Sequence, residues 1–368
     1  MMSTAPQILV INPGSTSTKI AVYEGGQEKF QENINHGKVL FKRYKTIAEQ
    51  LSMRKDAIAM ILERKRFDFR ELTAIVARGG ILPPVKAGAY RINEAMVERV
   101  INKPLVEHAS NLGAAIAYEI AGEWGIPSFI YDSVAVDELE GVARISGLPE
   151  IERVSHSHAL NSRAVAIKAA GDLGKSYYDL NFIVAHLGGG ISLSVHQKGK
   201  MVDVISDDEG PFSPERAGRV PCRNLMELCY SGKYEKDLMK KMLRGSGGLL
   251  AYLGTNDARD VEDSIQKGDE KAELIYQAMA YQIAKGIGEL ATVLKGNVDK
   301  IIITGGIANS KMLTGWIKDR VMFIAPVEVI PGENELRALA LGGLRVLTGE
   351  EEAHEYCEDS IVTEGNTI

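Results

Sequence analysis

Residues 8–18 read I-L-V-I-N-P-G-S-T-S-T, and residues 182–192 read F-I-V-A-H-L-G-G-G-I-S. Each has four apolar residues, a polar Asn12 or His186, a turn with Gly14 or Gly188, and small residues that open a second strand. A second echo follows in the same order: residues 75–80 read I-V-A-R-G-G and residues 301–306 read I-I-I-T-G-G. Both are apolar strands that end in a glycine pair. Two similar halves, each built on a sheet, indicate a duplication. A cleft between the halves is then the natural ligand site.

Outward from these strings, strand-like apolar runs alternate with helix-like stretches, which argues for an α/β class. Strands are expected at 8–12, 20–23, 74–77, 128–131, 182–185, 192–196, 300–304 and 327–330, and helices at 44–66, 107–124, 158–170, 271–294 and 335–347. Leu112, Ile116 and Ile120 recur every fourth residue, as one buried helix face requires. The acidic, weakly apolar tail from Gly349 onward is expected to fray.

The 368 residues suffice for about two domains at roughly 150 residues each. The expected division is 1–152 plus 336–368 against 153–335. A formal charge of −6 does not suggest a nucleic-acid binder held by phosphate neutralisation. No apolar run approaches the ~20 residues that span a bilayer, and no secretory signal is visible, so neither a membrane nor an export role is expected. Cys222, Cys229 and Cys357 have neither zinc-ligand nor redox spacing and suit a reducing cytoplasm. Glycine is the informative residue, 37 of 368 against a usual ~7%.

Several loops carry the means to hold phosphate. In 12–19, Asn12-Pro13-Gly14-Ser15-Thr16-Ser17-Thr18-Lys19, glycine lets the backbone approach an anion, hydroxyls and turn N–H groups can face its oxygens, and Lys19 adds charge. The Walker spacing G-x-x-x-x-G-K-S/T is absent. Residues 186–192 repeat that geometry through Gly188, Gly189 and Gly190. Residues 304–309, with Gly305, Gly306 and Ile307, follow an apolar strand and could let an adenine or ribose press on the backbone, or form a plain strand-to-helix turn. Residues 254–259 carry Asp257 and Arg259 ahead of a helix, where Asp257 or Asn256 could simply cap. Phosphoryl transfer also needs a divalent cation, carboxylates near it and cations for the phosphoryl oxygens. Asp132 follows an apolar strand, where active residues gather in α/β folds. Glu335 opens a helix, Arg78 ends a strand, and Arg216 lies in a Pro/Gly-flanked loop, with His158 and His186 beside these elements.

At these residues the chain resembles the butyrate kinases of the acetokinase family, within the actin–hexokinase–Hsp70 superfamily. The stretches that carry the resemblance are V-I-N-P-G-S-T-S-T-K (10–19), A-R-G-G (77–80), E-H-A-S-N-L-G-A (107–114), Y-D-S-V-A-V-D-E (131–138) and H-A-L-N (158–161). They continue with A-H-L-G-G-G-I-S (185–192), D-D-E-G-P-F-S-P-E-R-A-G (207–218), L-G-T-N-D-A-R (253–259), T-G-G-I-A (304–308) and E-N-E-L-R-A-L-A (333–340).

The resemblance implies two duplicated ribonuclease-H-like, actin-like ATPase domains with an interdomain cleft, forming a homo-oligomer. It implies the reaction of ATP with a short-chain carboxylate to give ADP and an acyl phosphate, with Mg²⁺. By position, Asn12, Ser15, Ser17 and Lys19 match the first phosphate loop and Gly188, Gly189 and Gly190 the second. Asp132 and Glu335 match carboxylates near magnesium. Arg216 matches a catalytic arginine, and His158 and His186 match histidines that contact the transferring phosphoryl group. Asp257, Arg259, Gly305, Gly306 and Ile307 match the adenosine pocket. Acetate kinases carry a further catalytic arginine three residues before Arg78, where this chain has Ile75, and Arg78 is the candidate for that role. Relatives commonly carry an aromatic residue where Ser157 stands. Butyrate, isobutyrate, propionate and acetate all remain open as substrates, and a non-catalytic ATP-binding module is the reading from another class.

Overall fold

The expected apolar runs form strands, and the strands sort into two sheets in the computed structural model, which describes residues 5–37 and 43–358. In chain order they are β1 (Gln7–Pro13), β2 (Ser17–Glu24), β3 (Gln27–Asn35), β4 (Ala74–Arg78), β5 (Ala89–Arg91) and β6 (Ser128–Tyr131). There follow β7 (Asn181–Leu187), β8 (Ile191–Gln197), β9 (Lys200–Ile205), β10 (Lys300–Gly305), β11 (Val327–Pro331) and β12 (His354–Glu355). The chain divides into two units. The first runs to Asp137 and resumes at Asn334; the second is Glu138–Glu333.

In the first unit the sheet order is β12-β5-β6-β4-β1-β2-β3. β1, β2 and β3 form consecutive antiparallel hairpins, and β4 and β6 lie parallel to β1. Successive side chains alternate between the sheet's faces. Leu9, Ile11, Ile75 and Ala77 therefore meet Ile58 and Leu62 of the helix Leu51–Arg64 and Leu112, Ile116 and Ile120 of the helix Asn111–Trp124. Ile8 and Val76 face the other way, against Gly343 of the helix Glu335–Leu347. Both faces are covered, which is why β1 reads as a continuous apolar run.

In the second unit the order is β11-β10-β7-β8-β9. Here too a strand starts two antiparallel hairpins, β7 to β8 to β9, and parallel strands extend the sheet on its other side, β10 and then β11. The sequence β3-β2-β1-β4-β6 and the sequence β9-β8-β7-β10-β11 thus share order and sense, so the two sequence echoes are two copies of one topology. The helix Glu270–Val293 covers the second sheet through Met279, Ile283, Ile287 and Leu290, all buried.

Three expectations need correction. Residues 138–152 belong to the second unit: Glu140 N donates to Val202 O (3.0 Å), Met201 N donates to the Glu138 carboxylate (2.9 Å), and Arg153 donates to Ala143 O (2.6 Å). Asn334 and Glu335 belong to the first unit, because the last helix packs on β1 and β4. The tail does not fray over 349–358: β12 pairs in parallel with β5, Tyr356 is buried, and Arg345 holds Glu351 (3.2 Å). Residues 359–368 of that tail lie outside the described residues. No helix among the described residues is long and apolar enough to cross a membrane.

Candidate active site

In the first unit, three parallel strands bring their carboxyl ends side by side, which is where ligands bind in open α/β sheets. Asn12 is the last residue but one of β1, Arg78 ends β4, and Asp132 follows β6. The first turn of the helix Glu335–Leu347 closes on this edge. Asn12 Nδ2 donates to Glu335 Oε2 (2.7 Å), and Arg78 forms an ion pair with Glu335 Oε1. Asp132 takes a left-handed backbone (φ +40°) and is buried. Its N donates to Gly88 O (3.1 Å), and its Oδ1 accepts from Gly88 N (2.8 Å).

The β1–β2 turn is tight, with Gly14 N donating to Ser17 O (2.8 Å). Ser15 and Lys19 are exposed and Ser17 half-buried. Beneath the turn lies a residue the sequence reading missed. Arg54 is fully buried and donates to Gly14 O (3.0 Å), Ser17 O (2.9 Å) and Thr18 Oγ1 (3.0 Å), while Gln50 Oε1 accepts from its Nη2 (2.9 Å). Burial pulls the Arg54 pKa down to about 10, so the guanidinium stays charged at neutral pH. A signal was present: Arg54, Ile58 and Leu62 share one four-residue register, so an arginine occupies a core-facing position. Arg54→Met should lower unfolding stability by about 3 kcal/mol, because three or more buried acceptors lose their donor. Urea denaturation measures it, and an unchanged midpoint would show that the turn holds itself.

In the second unit the β7–β8 turn runs through Gly188, Gly189 and Gly190, with Gly188 N donating to Gly190 O (3.0 Å). Arg216 lies across it. A Cβ on Gly190 would stand 2.3 Å from Arg216 Nη1, so only glycine admits the guanidinium there. Arg216 is held from behind by Asp207, whose side chain is 6% exposed and which also faces Arg244 Nε at 3.4 Å. Ser213 Oγ donates to Gly189 O (2.7 Å) and ties the Arg216 loop to the glycine turn.

A cavity of about 680 Å³ opens beside this turn, within the range of small-molecule sites. Gly188, Gly189, Asp257, Arg259, Gly306 and Ile307 all line it. Gly305, which is not among the lining residues but precedes Gly306, has φ +92°, and a Cβ there would strike Leu187 O at 2.3 Å. Asp257 does cap a helix, accepting from Arg259 N (2.9 Å), and it also grips the Arg259 side chain (2.6 Å to Nη2). The Arg259 hydrogen bonds hold its carboxyl down near pKa 2.

His158 and His186 stack in the same unit, ring centroids 3.8 Å apart and planes within 10°. Ser192 Oγ lies 2.9 Å from His158 Nδ1, and Asn161 Nδ2 lies 2.9 Å from His186 Nδ1. His186 is 1% exposed, and its Nε2 lies 2.9 Å from Glu333 Oε1. That approach is off the line of a hydrogen bond, so Nε2 has no hydrogen-bond partner among the described residues. Asp207, Asn161 and Glu333 carry no role in the sequence reading, since a polar residue inside a motif does not reveal which neighbour it holds.

Among the described residues no three His, Cys, Asp or Glu side chains gather into a metal-binding group. Both Glu335 oxygens and Asp132 Oδ1 already accept hydrogen bonds or an ion pair. The set makes no all-protein cage. It would fit an ion that keeps most of its water, as magnesium commonly does.

Comparison with known proteins places this geometry. The sequence profile of the acetokinase family matches residues 153–327, within the second unit. A probable butyrate kinase of Clostridium botulinum, strain Eklund 17B, is 51% identical over 352 residues, covering 95% of this chain and 99% of the relative. The chain belongs to the acetokinase family. Among solved structures, an acetate kinase from Porphyromonas gingivalis aligns with a TM-score of 0.76 at 20% identity, over 93% of this chain and all of that one. A propionate kinase from Francisella tularensis aligns with a TM-score of 0.72 at 20% identity, over 92% of this chain and 98% of that one. The acetokinase fold is therefore the fold of this chain: the paired β3-β2-β1-β4-β6 and β9-β8-β7-β10-β11 sheets are its two actin-like ATPase lobes.

Proposed function

We propose that this acetokinase is a short-chain fatty-acid kinase that converts ATP and butanoate into ADP and butanoyl phosphate. The observation that carries the reading is Arg216, anchored by Asp207 and laid across Gly190 of the turn whose Gly188 and Gly189 line the cavity. The 51% identity to a probable butyrate kinase supports butanoate over other acids.

The chemistry suits this inventory. A short carboxylic acid has a pKa close to that of a glutamate side chain, about 4.3, so it arrives ionised and needs no general base. Its oxygen attacks the γ-phosphorus of ATP. The bond to the β,γ-bridging oxygen breaks, and ADP leaves with the electron pair. Catalysis then consists of holding two anions in line and neutralising the group in flight. Gly188, Gly189 and Gly190 offer backbone N–H groups to the phosphates. Asp257, Arg259, Gly305, Gly306 and Ile307 hold adenosine. Arg216, His158 and His186 face the transferring group. From the first unit, Asn12, Ser15, Ser17 and Lys19 serve the phosphate chain and Arg78 the anionic acceptor. Asp132 and Glu335 would hold Mg²⁺ through its water, and the ion supplies charge neutralisation on the phosphates.

Hydroxylamine trapping tests the proposal, because an acyl phosphate reacts with it to give a hydroxamate. Assays with ATP and acetate, propionate, butyrate or isobutyrate should give the highest kcat/KM for butyrate. One methylene is worth only about 1–3 kcal/mol, so neighbouring acids should react measurably. A maximum at another acid would change the substrate. No hydroxamate from any acid would leave a nucleotide-binding module without acyl transfer.

A further inference from the structure

We infer that Asn161 fixes which ring nitrogen of His186 carries the proton, and so makes His186 Nε2 a hydrogen-bond donor aimed at the substrate. The purpose of this arrangement rests on the kinase reading above; the placement of the proton does not.

The assignment starts from an atom that can only accept. Gly332 O accepts from the Thr304 hydroxyl, at 3.3 Å. A hydroxyl has one proton, so Thr304 Oγ1 meets its other neighbour as an acceptor. That neighbour is the Asn161 amide at 3.2 Å, which must therefore present nitrogen. An amide nitrogen has two protons, and the second points at His186 Nδ1, 2.9 Å away. Nδ1 then holds a lone pair, and the proton of the neutral ring sits on Nε2.

The fold brings these three side chains together. Thr304 and His186 are direct partners in the parallel β10–β7 ladder, so their side chains stand on one face of the sheet. Asn161 lies in the first turn of the helix Ala159–Asp172 that covers them. All three are shut away from water: Thr304 is 0%, His186 1% and Asn161 7% exposed. No solvent can supply an alternative partner.

Nε2 itself is buried with no hydrogen-bond partner among the described residues, although Glu333 Oε1 stands close by. Buried polar groups are almost always paired, so an unpaired N–H at the end of β7, next to the glycine turn, is a donor kept for a ligand oxygen. The tautomer decides the sign of that contact. A proton on Nε2 attracts an anionic phosphoryl oxygen; a lone pair there repels it. His158 stacked on the ring prevents it from turning over. Asn161 is thus a positioning residue: it acts through His186 and does not touch the reacting atoms.

The test is the nitrogen spectrum of the histidine ring in the full-length protein, ¹⁵N-labelled at histidine, with His186 assigned by comparison with His186→Gln. The wild type should show His186 protonated on Nε2 alone. Asn161→Asp replaces the donor with an acceptor and should move a proton onto Nδ1, with kcat falling about tenfold or more and the KM for ATP little changed, as for partners that orient a functional histidine. Thr304→Ser keeps the hydroxyl and should keep the wild-type spectrum, whereas Thr304→Val should give mixed tautomers. The first measurement needs no variant, so a misfolded substitution does not shield the inference. A wild-type His186 protonated on Nδ1, or an Asn161→Asp spectrum identical to wild type, overturns it. If hydroxamate fails to form while the Nε2–H signature is present, the kinase reading falls and the proton assignment stands.

Discussion

Arg216→Ala is expected to lower kcat about a thousandfold while the KM for ATP shifts less than about threefold, the scale set by arginines that neutralise a phosphoryl group in transfer. The asymmetry follows from where the guanidinium lies. It lies against Gly190, whereas Asp257, Arg259, Gly306 and Ile307 line the cavity together with Gly188 and Gly189, and Arg216 does not. Removing it leaves the nucleotide's contacts and takes away a charge that matters most when the phosphoryl group is in flight. Asp207 would lose its nearer cation but keep Arg244 Nε at 3.4 Å, so the loop should still fold. Arg216→Lys should recover little, since a point charge on a flexible stem cannot reproduce a planar group held against a glycine. Steady-state kinetics with ATP and butyrate, with a thermal melt to check folding, measure both. A normal kcat in the alanine variant would take Arg216 out of the mechanism.

The duplication was legible because both copies of its central strand are buried on two faces. I-L-V-I and F-I-V-A carry no polar alternation to confuse with a surface strand, and each is followed by a glycine turn. β3 was missed for the opposite reason. It is an edge strand, Q-E-K-F-Q-E-N-I-N, whose half-buried face carries Phe30, Glu32 and Ile34, and its pairing to β2 is written in geometry rather than in composition. β9 escaped because it follows the Lys198–Gly199 turn and its apolar residues surround Asp203, which is held by Arg153. The domain boundary moved because residues 138–152 hold on by backbone bonds to Val202 and Met201, which no side-chain pattern announces. The site divides in the same way. Residues at strand ends and glycine turns could be picked out, since chemistry gathers there. Asp207 and Asn161 could not, because each acts by bracing another residue, Arg216 or His186, that its own motif does not name, and for Arg54 only the core-facing register hints at the role it plays under Gly14.

Asp132→Asn should lower kcat/KM about 100-fold and raise the magnesium concentration needed for half-maximal rate, while leaving the melting temperature close to wild type. The magnitude is that of carboxylates that act on a metal through an intervening ligand. The substitution separates charge from structure unusually well at this position. Asparagine keeps an oxygen that can accept from Gly88 N, the bond that aspartate makes at 2.8 Å. It also tolerates the left-handed backbone (φ +40°) almost as readily as aspartate does. The negative charge goes, and the second carboxylate oxygen becomes an amide NH2 that cannot accept. Asp132→Ala would lose the Gly88 bond and put a side chain without that compensation at the same strained φ, so a defect there would mix folding with function. The comparison of the two therefore separates the anionic oxygen from the fold: magnesium titrations on Asp132→Asn that overlay the wild type would remove Asp132 from the ion's surroundings and leave it the structural task of closing β6 onto Gly88.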